Sequence, residues 1–212
     1  MIRERWEILL SDSHIPLDES SELCFDTLCT LYQEPHRYYH TFDHLSQMLW
    51  QLDLADITCV SVRWATFYHD AYYIPGDPEN EQRSADLARN HLLLMGVEEK
   101  IIHDIEEMII ATKTHTASKD DNEDLCALLD VDMAILGVAN KDYAAYCEKV
   151  RLEFSVIDEA LYRAGRKRFL ESVLAQDRIY LTDYFFSEFE LQARKNMERE
   201  LAFQGAHNLS NL

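Results

Sequence analysis

A chain of 212 residues, 47% of them apolar, is long enough to bury a sizeable core and reads as one domain spanning 1–212. With 39 acids against 20 bases it carries a formal charge of −19, a field that repels nucleic-acid polymers and anionic membranes, so a nucleotide partner would have to be small and met by a local positive site. Cys24, Cys29, Cys59, Cys126 and Cys147 form no CxxC, the start Met-Ile-Arg-Glu-Arg-Trp-Glu is too charged for a signal peptide, and no apolar run has membrane-spanning length; free thiols and a cytoplasmic location are expected.

Only five Gly and four Pro interrupt the periodic segments, which favours helices. Helices are expected at 2–10 and about 20–33, the second with Leu23, Leu28, Leu31 and Tyr32 on one side. Pro35 breaks the pattern. Residues 36–44 lead into a helix with the apolar stripe Leu45, Met48, Leu49 and Leu52. Val60, Trp64, Phe67 and Ala71 recur at i, i+4, i+7 and i+11, so a helical run should close near Asp70. Two prolines and a glycine make 74–80 an irregular loop. Asn80 or a neighbour caps a helix of about 81–95, ended by Gly96. The next, 97–113, carries Val97, Ile101, Ile105 and Met108 on its core face, and the polar run 114–122 separates it from a helix of about 123–137. Helices of about 140–156, 158–176 and 182–203 follow, then a short tail. No stretch alternates with period two. The expected fold is an all-α bundle, its site core at about 36–155 and its C-terminal helices at about 158–203 packed on that core.

The stretch 65–73 places His69 and Asp70 side by side where an apolar helix ends. Burying either group unpaired costs several kcal/mol, roughly, and a divalent metal is an economical partner for both. His36, His40 and His44 are spaced by four, which on a continuous helix would share a face; Pro35 argues against helix so early, and His44 is the best placed of the three, beside the stripe starting at Leu45. A satisfied core histidine is the alternative reading. His14, His91, His103 and His207 have no telling neighbour. Asp132 lies on a helical face with Leu125, Leu128, Leu129 and Leu136, whereas Asp130 is about 200° away. A carboxylate facing a core needs a cation or hydrogen bonds, so Asp132 is either a metal ligand or a salt-bridge partner.

His44, His69-Asp70 and Asp132 together resemble the H…HD…D pattern of the HD superfamily of metal-dependent phosphohydrolases. The likeness is closer to a bacterial subgroup of predicted HD phosphohydrolases. It rests on Arg37-x-Tyr39-His40-x-x-x-His44, His69-Asp70-x-x-Tyr73, Asn80-Glu81-x-x-Ser84-Ala85, Asp130-x-Asp132-x-Ala134-Ile135-Leu136-Gly137, Ile179-Tyr180 and Ala193-Arg194-x-Asn196, so it covers nearly the whole chain. The resemblance implies an all-helical fold and one divalent ion (Mn, Co, Ni, Fe, Mg or Zn) on His44, His69, Asp70 and Asp132. Binuclear members add two histidines before the last Asp. Here only His115 follows plausibly, so one metal is expected, with His115 as a substrate contact or an occasional second-site ligand.

The implied reaction is hydrolysis of a small phosphorylated metabolite, a nucleotide being the leading choice, by attack of a metal-activated water on phosphorus. The charge built on the phosphoryl oxygens needs a cation. Arg37 is the first choice and Lys113 the second, with His40 and Tyr73 as further substrate contacts. Arg37 should meet phosphate without affecting metal content. Glu81, across the Pro-Gly loop from Asp70, could take the water's proton or protonate the leaving oxygen. Two other readings are a non-catalytic module that keeps the metal for a ligand or partner, and an iron oxygenase, which would resemble a His-richer binuclear pattern.

Overall fold

A computed structural model describes residues 2–118 and 121–209, with side chains to 203. Among these residues there are ten α-helices and no strand. They are α1 Ile2–Asp12, α2 Glu19–Tyr32, α3 Phe42–Leu54, α4 Val60–Tyr68, α5 Asn80–Leu94, α6 Glu99–Ala111, α7 Glu123–Met133, α8 Asn140–Glu153, α9 Glu159–Leu174 and α10 Asp183–Leu209. Short 3-10 turns at Ala134–Gly137 and Phe154–Val156 extend α7 and α8. None of these helices is long and apolar enough to cross a membrane.

Local chemistry sets most of the boundaries. Asp18 accepts from the N–H groups of Ser20 and Ser21 while Ser21 accepts from Asp18, a reciprocal cap that starts α2. Gly96 takes φ +79 just past the end of α5, the left-handed position that ends helices without a side-chain penalty. Pro35 breaks the chain as expected, and residues 33–41 are irregular. Three expectations shift. Leu23 is exposed, because the buried face of α2 is Cys24, Phe25, Leu28 and Tyr32. The helix expected at 123–137 tightens to a 3-10 turn after Met133, and α10 runs six residues past its expected end. The tail at 210–212, and Lys119 and Asp120 of the polar run, lie outside the described residues.

The nine-residue α4 is the centre of the bundle, in contact with α1, α3, α5, α6 and α7. Its residues Trp64, Ala65, Thr66, Phe67 and Tyr68 are buried in succession, as a helix enclosed on all sides requires. Trp6 of α1 lies edge-on to Trp64 and Phe67 at ring distances of 5.1 and 5.4 Å. The helix that delivers His69 is thus packed all round.

The C-terminal helices brace the end of α7. Asn196 donates to the carbonyls of Leu136 and Val138, and the Tyr180 hydroxyl donates to that of Met133. A Cβ on Gly137 would lie 2.5 Å from Phe189 Cβ and 2.7 Å from its carbonyl oxygen, so only glycine lets α10 approach this turn. The buried Arg166 of α9 joins Tyr146 of α8 to Glu200 of α10. All five cysteines are free thiols. Gly137→Ala should lower unfolding free energy by about 1–3 kcal/mol through overpacking, read by urea denaturation; an unchanged midpoint would show that α10 can shift outward freely.

Candidate metal centre

Three separate elements deliver the central groups. Thr41 caps α3, and His44 sits in its first turn, its N–H donating to the Thr41 carbonyl. His69 and Asp70 lie one and two residues past the end of α4, which stops at Tyr68, close to the expected end near Asp70. Asp132 comes from the last turn of α7. His69 is the most constrained of these. Its Nδ1 is 2.9 Å from the Thr66 carbonyl, which can only accept, so Nδ1 carries the proton. Its Nε2 is buried without a hydrogen-bond partner. That nitrogen lies 3.1 Å from Asp70 Oδ2 and 3.5 Å from Asp132 Oδ1.

One donor atom each of His44, His69 and Asp70 falls within 4.8 Å of the others. Two ligands on opposite sides of an ion with bonds of ~2.0–2.2 Å are about 4.4 Å apart, so the three can share one divalent ion with little adjustment. Asp132 lies outside that mutual group but adjoins it: Oδ1 is 3.2 Å from His44 Nε2, while Oδ2 is 2.7 Å from His115 Nε2. The carboxylate thus divides its oxygens, one to the cluster and one to His115. Sequence reasoning placed His115 against substrate or a second metal; the structure makes it the residue that orients Asp132, reached through a left-handed backbone at φ +47.

The electrostatics are those of charges packed at close range. Burial opposes the charged form of His69, but Asp70 and Asp132 outweigh it and hold the ring well above the usual histidine range. Burial would raise Asp132, yet His69, His115 and His44 hold it well below the usual carboxylate range. His44 goes the other way: burial dominates its contacts with Asp132 and keeps it lowered.

Arg37 does not face this cluster as a free cation. Its side chain is fully buried, with Nε donating to Glu34, Nη1 to the carbonyls of His40 and Asp70, and Nη2 to that of Ala71. The expected phosphate contact is therefore corrected to a brace on the backbone that carries Asp70. Four acceptors within one planar fork explain why this position needs arginine.

Glu153 was missed. Only 2% exposed, it accepts from the backbone N–H groups of Tyr38, Tyr39 and His40 with one oxygen. With the other it meets His40 Nδ1 at 2.7 Å and the Tyr73 hydroxyl at 3.0 Å. Burial alone would raise it, but His40 and these donors bring it down to about 2. The signal was available: Tyr146, Val150 and Glu153 recur at i, i+4 and i+7, the same phase argument that singled out Asp132. His40 thereby points Nε2 to within 3.9 Å of Asp70 Oδ2. Tyr73 has its proton committed to Glu153 and offers a substrate only its ring and oxygen. His36 lies outside the cluster, its Nε2 donating to the Tyr73 carbonyl at 2.7 Å.

A cavity of about 300 Å³ borders the cluster and is lined by His40, Asp70, Glu81, Lys113, His115 and Asp132 among others. Glu81 Oε2 is buried without a hydrogen-bond partner, 4.0 Å from Lys113 Nζ. Lys113 donates to the Pro78 carbonyl. The remaining motif residues are structural: Asn80 brackets both backbone groups of Ile74, and the Ser84 hydroxyl bonds those of Tyr72, so the start of α5 pins the chain just after Asp70. No family model, curated protein or solved structure matches the chain.

Asp130 accepts from the N–H groups of Leu181 and Thr182 and from the Thr182 hydroxyl, and burial outweighs these bonds to push it up to about 6. Asp132→Asn should cut affinity for added divalent ions by about 10-fold or more, while Asp130→Asn should mainly lower stability. Titration of both variants with Mn beside the unaltered chain reads the difference; the reverse order would show that Asp130 carries the ion. Arg37→Lys should cost ~2–4 kcal/mol of stability, because a point charge cannot satisfy the carbonyls that the fork serves. Calorimetric melting checks this, and an unchanged melt with weakened phosphate binding would restore the substrate role.

Proposed function

We propose that this chain is an HD-type metal-dependent phosphohydrolase acting on a small phosphorylated metabolite, with a nucleotide the leading choice. The reading is carried by the His69 imidazole. A ring with Nδ1–H fixed on Thr66 and Nε2 buried without a hydrogen bond, among His44, Asp70 and Asp132, has that second nitrogen aimed where a divalent ion could replace a proton. Two imidazoles and two carboxylates suit Mn, Fe, Co, Ni or Zn better than an all-oxygen cation site would. Such an ion, when bound, supplies Lewis acidity toward a phosphoryl group.

The chain's own groups do the rest. Lys113 projects into the cavity beside Asp70, and its ammonium has two donors left beyond the Pro78 carbonyl to meet phosphate oxygens. Glu81, with one buried oxygen unpaired in the same wall, takes the proton of the attacking water or returns one to the leaving oxygen. His40 offers its Nε2 to the substrate side, its other nitrogen held by Glu153. One observation favours a second reading, a metal-holding module without turnover: Arg37, the strongest phosphate-binding side chain near the cluster, has its donors committed to the backbone.

A phosphatase screen of nucleotides and sugar phosphates with Mn, Co, Ni, Fe, Mg and Zn separates the two. Turnover is expected with at least one pair, and Glu81→Gln should reduce kcat by roughly 10²–10⁴ with metal content unchanged. Bound metal without release of phosphate from any substrate would leave the binding module.

A further inference from the structure

The cavity of about 300 Å³ beside the cluster is also lined from α9, a helix that supplies none of the cluster residues and neither Lys113 nor Glu81. Phe169, Ser172 and Val173 of α9 and Gln176 just past its end stand at i, i+3, i+4 and i+7, and all four border the space. The Gln176 N–H donates to the Val173 carbonyl, which continues the turn, so the four form one wall. That wall is anchored at two points. Arg166 ties the middle of α9 to Tyr146 of α8 and Glu200 of α10, and its guanidinium lies 5.2 Å over the Phe169 ring. Arg194 of α10 donates to the carbonyls of Leu174, Gln176 and Asp177, satisfying the end of the helix.

The polar groups on this wall are accessible, and what they leave open is specific. Ser172 is exposed, and its hydroxyl donates to the Phe169 carbonyl at 2.7 Å, so Oγ offers only lone pairs. Gln176 is half-buried; its backbone is engaged by Val173 and Arg194, while its side-chain amide has no hydrogen bond among the described residues. That amide offers a carbonyl oxygen and two N–H donors. A group that only accepts leaves Ser172 Oγ and the amide oxygen unmet. An ammonium, which only donates, leaves the amide N–H groups unmet. A hydroxyl both donates and accepts, so it serves all of them. Phe169 and Val173 supply apolar contact for the carbon atoms between hydroxyls, and the volume is at the small end of small-molecule sites.

We propose that Gln176 and Ser172 select the group esterified to the phosphate, and that this group is a hydroxyl-bearing carbon skeleton. The inference rests on the phosphohydrolase reading and adds to it a specificity wall built by α9. The phosphate end lies toward Lys113 and the cluster, and the hydroxyls beside the ester meet Ser172 and Gln176. A free sugar phosphate and the ribose of a nucleotide share this chemistry, so the test carries both.

Ribose 5-phosphate is compared with n-pentyl phosphate, which has the same carbon count and no hydroxyl on its chain. Binding to the full chain in the presence of Mn is read by calorimetry, and phosphate release is measured alongside. Ribose 5-phosphate is expected to bind roughly tenfold tighter than the alkyl ester. Gln176→Leu should raise Kd and KM for ribose 5-phosphate by roughly 5–10-fold, leaving kcat and the affinity for pentyl phosphate within about twofold. Ser172→Ala, at an exposed helix position, should weaken ribose 5-phosphate alone by roughly 2–5-fold. Adenosine 5′-monophosphate in the same titrations identifies the source: tighter binding than ribose 5-phosphate makes the skeleton the ribose of a nucleotide, and weaker binding makes it a free sugar phosphate. Equal affinity for ribose 5-phosphate and pentyl phosphate, binding of neither, a preference that survives both variants, or equal weakening of both esters by Gln176→Leu overturns the wall. Turnover of any ester in those cases leaves the hydrolase standing. A preference lost in Gln176→Leu, without phosphate release from any ester, supports the wall and overturns the hydrolase.

Discussion

The bond from His69 Nδ1 to the Thr66 carbonyl is the small interaction on which the candidate centre depends. It exists because α4 stops at Tyr68, leaving the Thr66 carbonyl free of its helical partner and within reach of the ring three residues later. It sets the tautomer, and the tautomer sends Nε2 toward Asp70 and Asp132. Thr66 is itself fully buried, its hydroxyl donating to the Val62 carbonyl, so the acceptor cannot drift. Five surrounding helices hold α4 in place, which makes the position of one imidazole nitrogen a property of the whole bundle.

Around that imidazole the molecule concentrates buried charge and satisfies it in two ways. Arg37 and Glu153 are buried and fully engaged, the cation with backbone carbonyls and the anion with backbone N–H groups plus His40 and Tyr73. They hold the irregular segment 36–41, whose backbone has no helix to bond within. The cluster itself is different: His69 Nε2 has no hydrogen bond, and the nearby Glu81 Oε2 has none either. Engaged charges build the frame, and unengaged ones mark where chemistry can occur.

The motif residues fall into the same two groups, and here helical phase reached part of the answer. Asp132 was separable from Asp130 by phase alone, and the structure sends the first to three histidines and the second to the 181–182 backbone. Glu153 obeyed the same rule and went unnoticed amid the charges of α8. Arg37 was misassigned because a sequence shows an arginine near a histidine cluster but not the four acceptors that converge on it. Those acceptors are mostly backbone carbonyls at positions up to 34 residues away, and every residue has one.

Composition and period by themselves determined that the chain is helical and where most helices lie, because these follow from local propensity and a 3.6-residue repeat; they did not show that Asp130 is buried too, at 1% exposed. Only the tertiary structure decided how far a helix runs before its terminal carbonyl is taken by a side chain, which oxygen of Asp132 meets which histidine, and that α9 lines the cavity beside the cluster. Those are outcomes of packing between segments distant in the chain. They depend on distances of a few tenths of an ångström, and the order of residues along one helix carries no information about them.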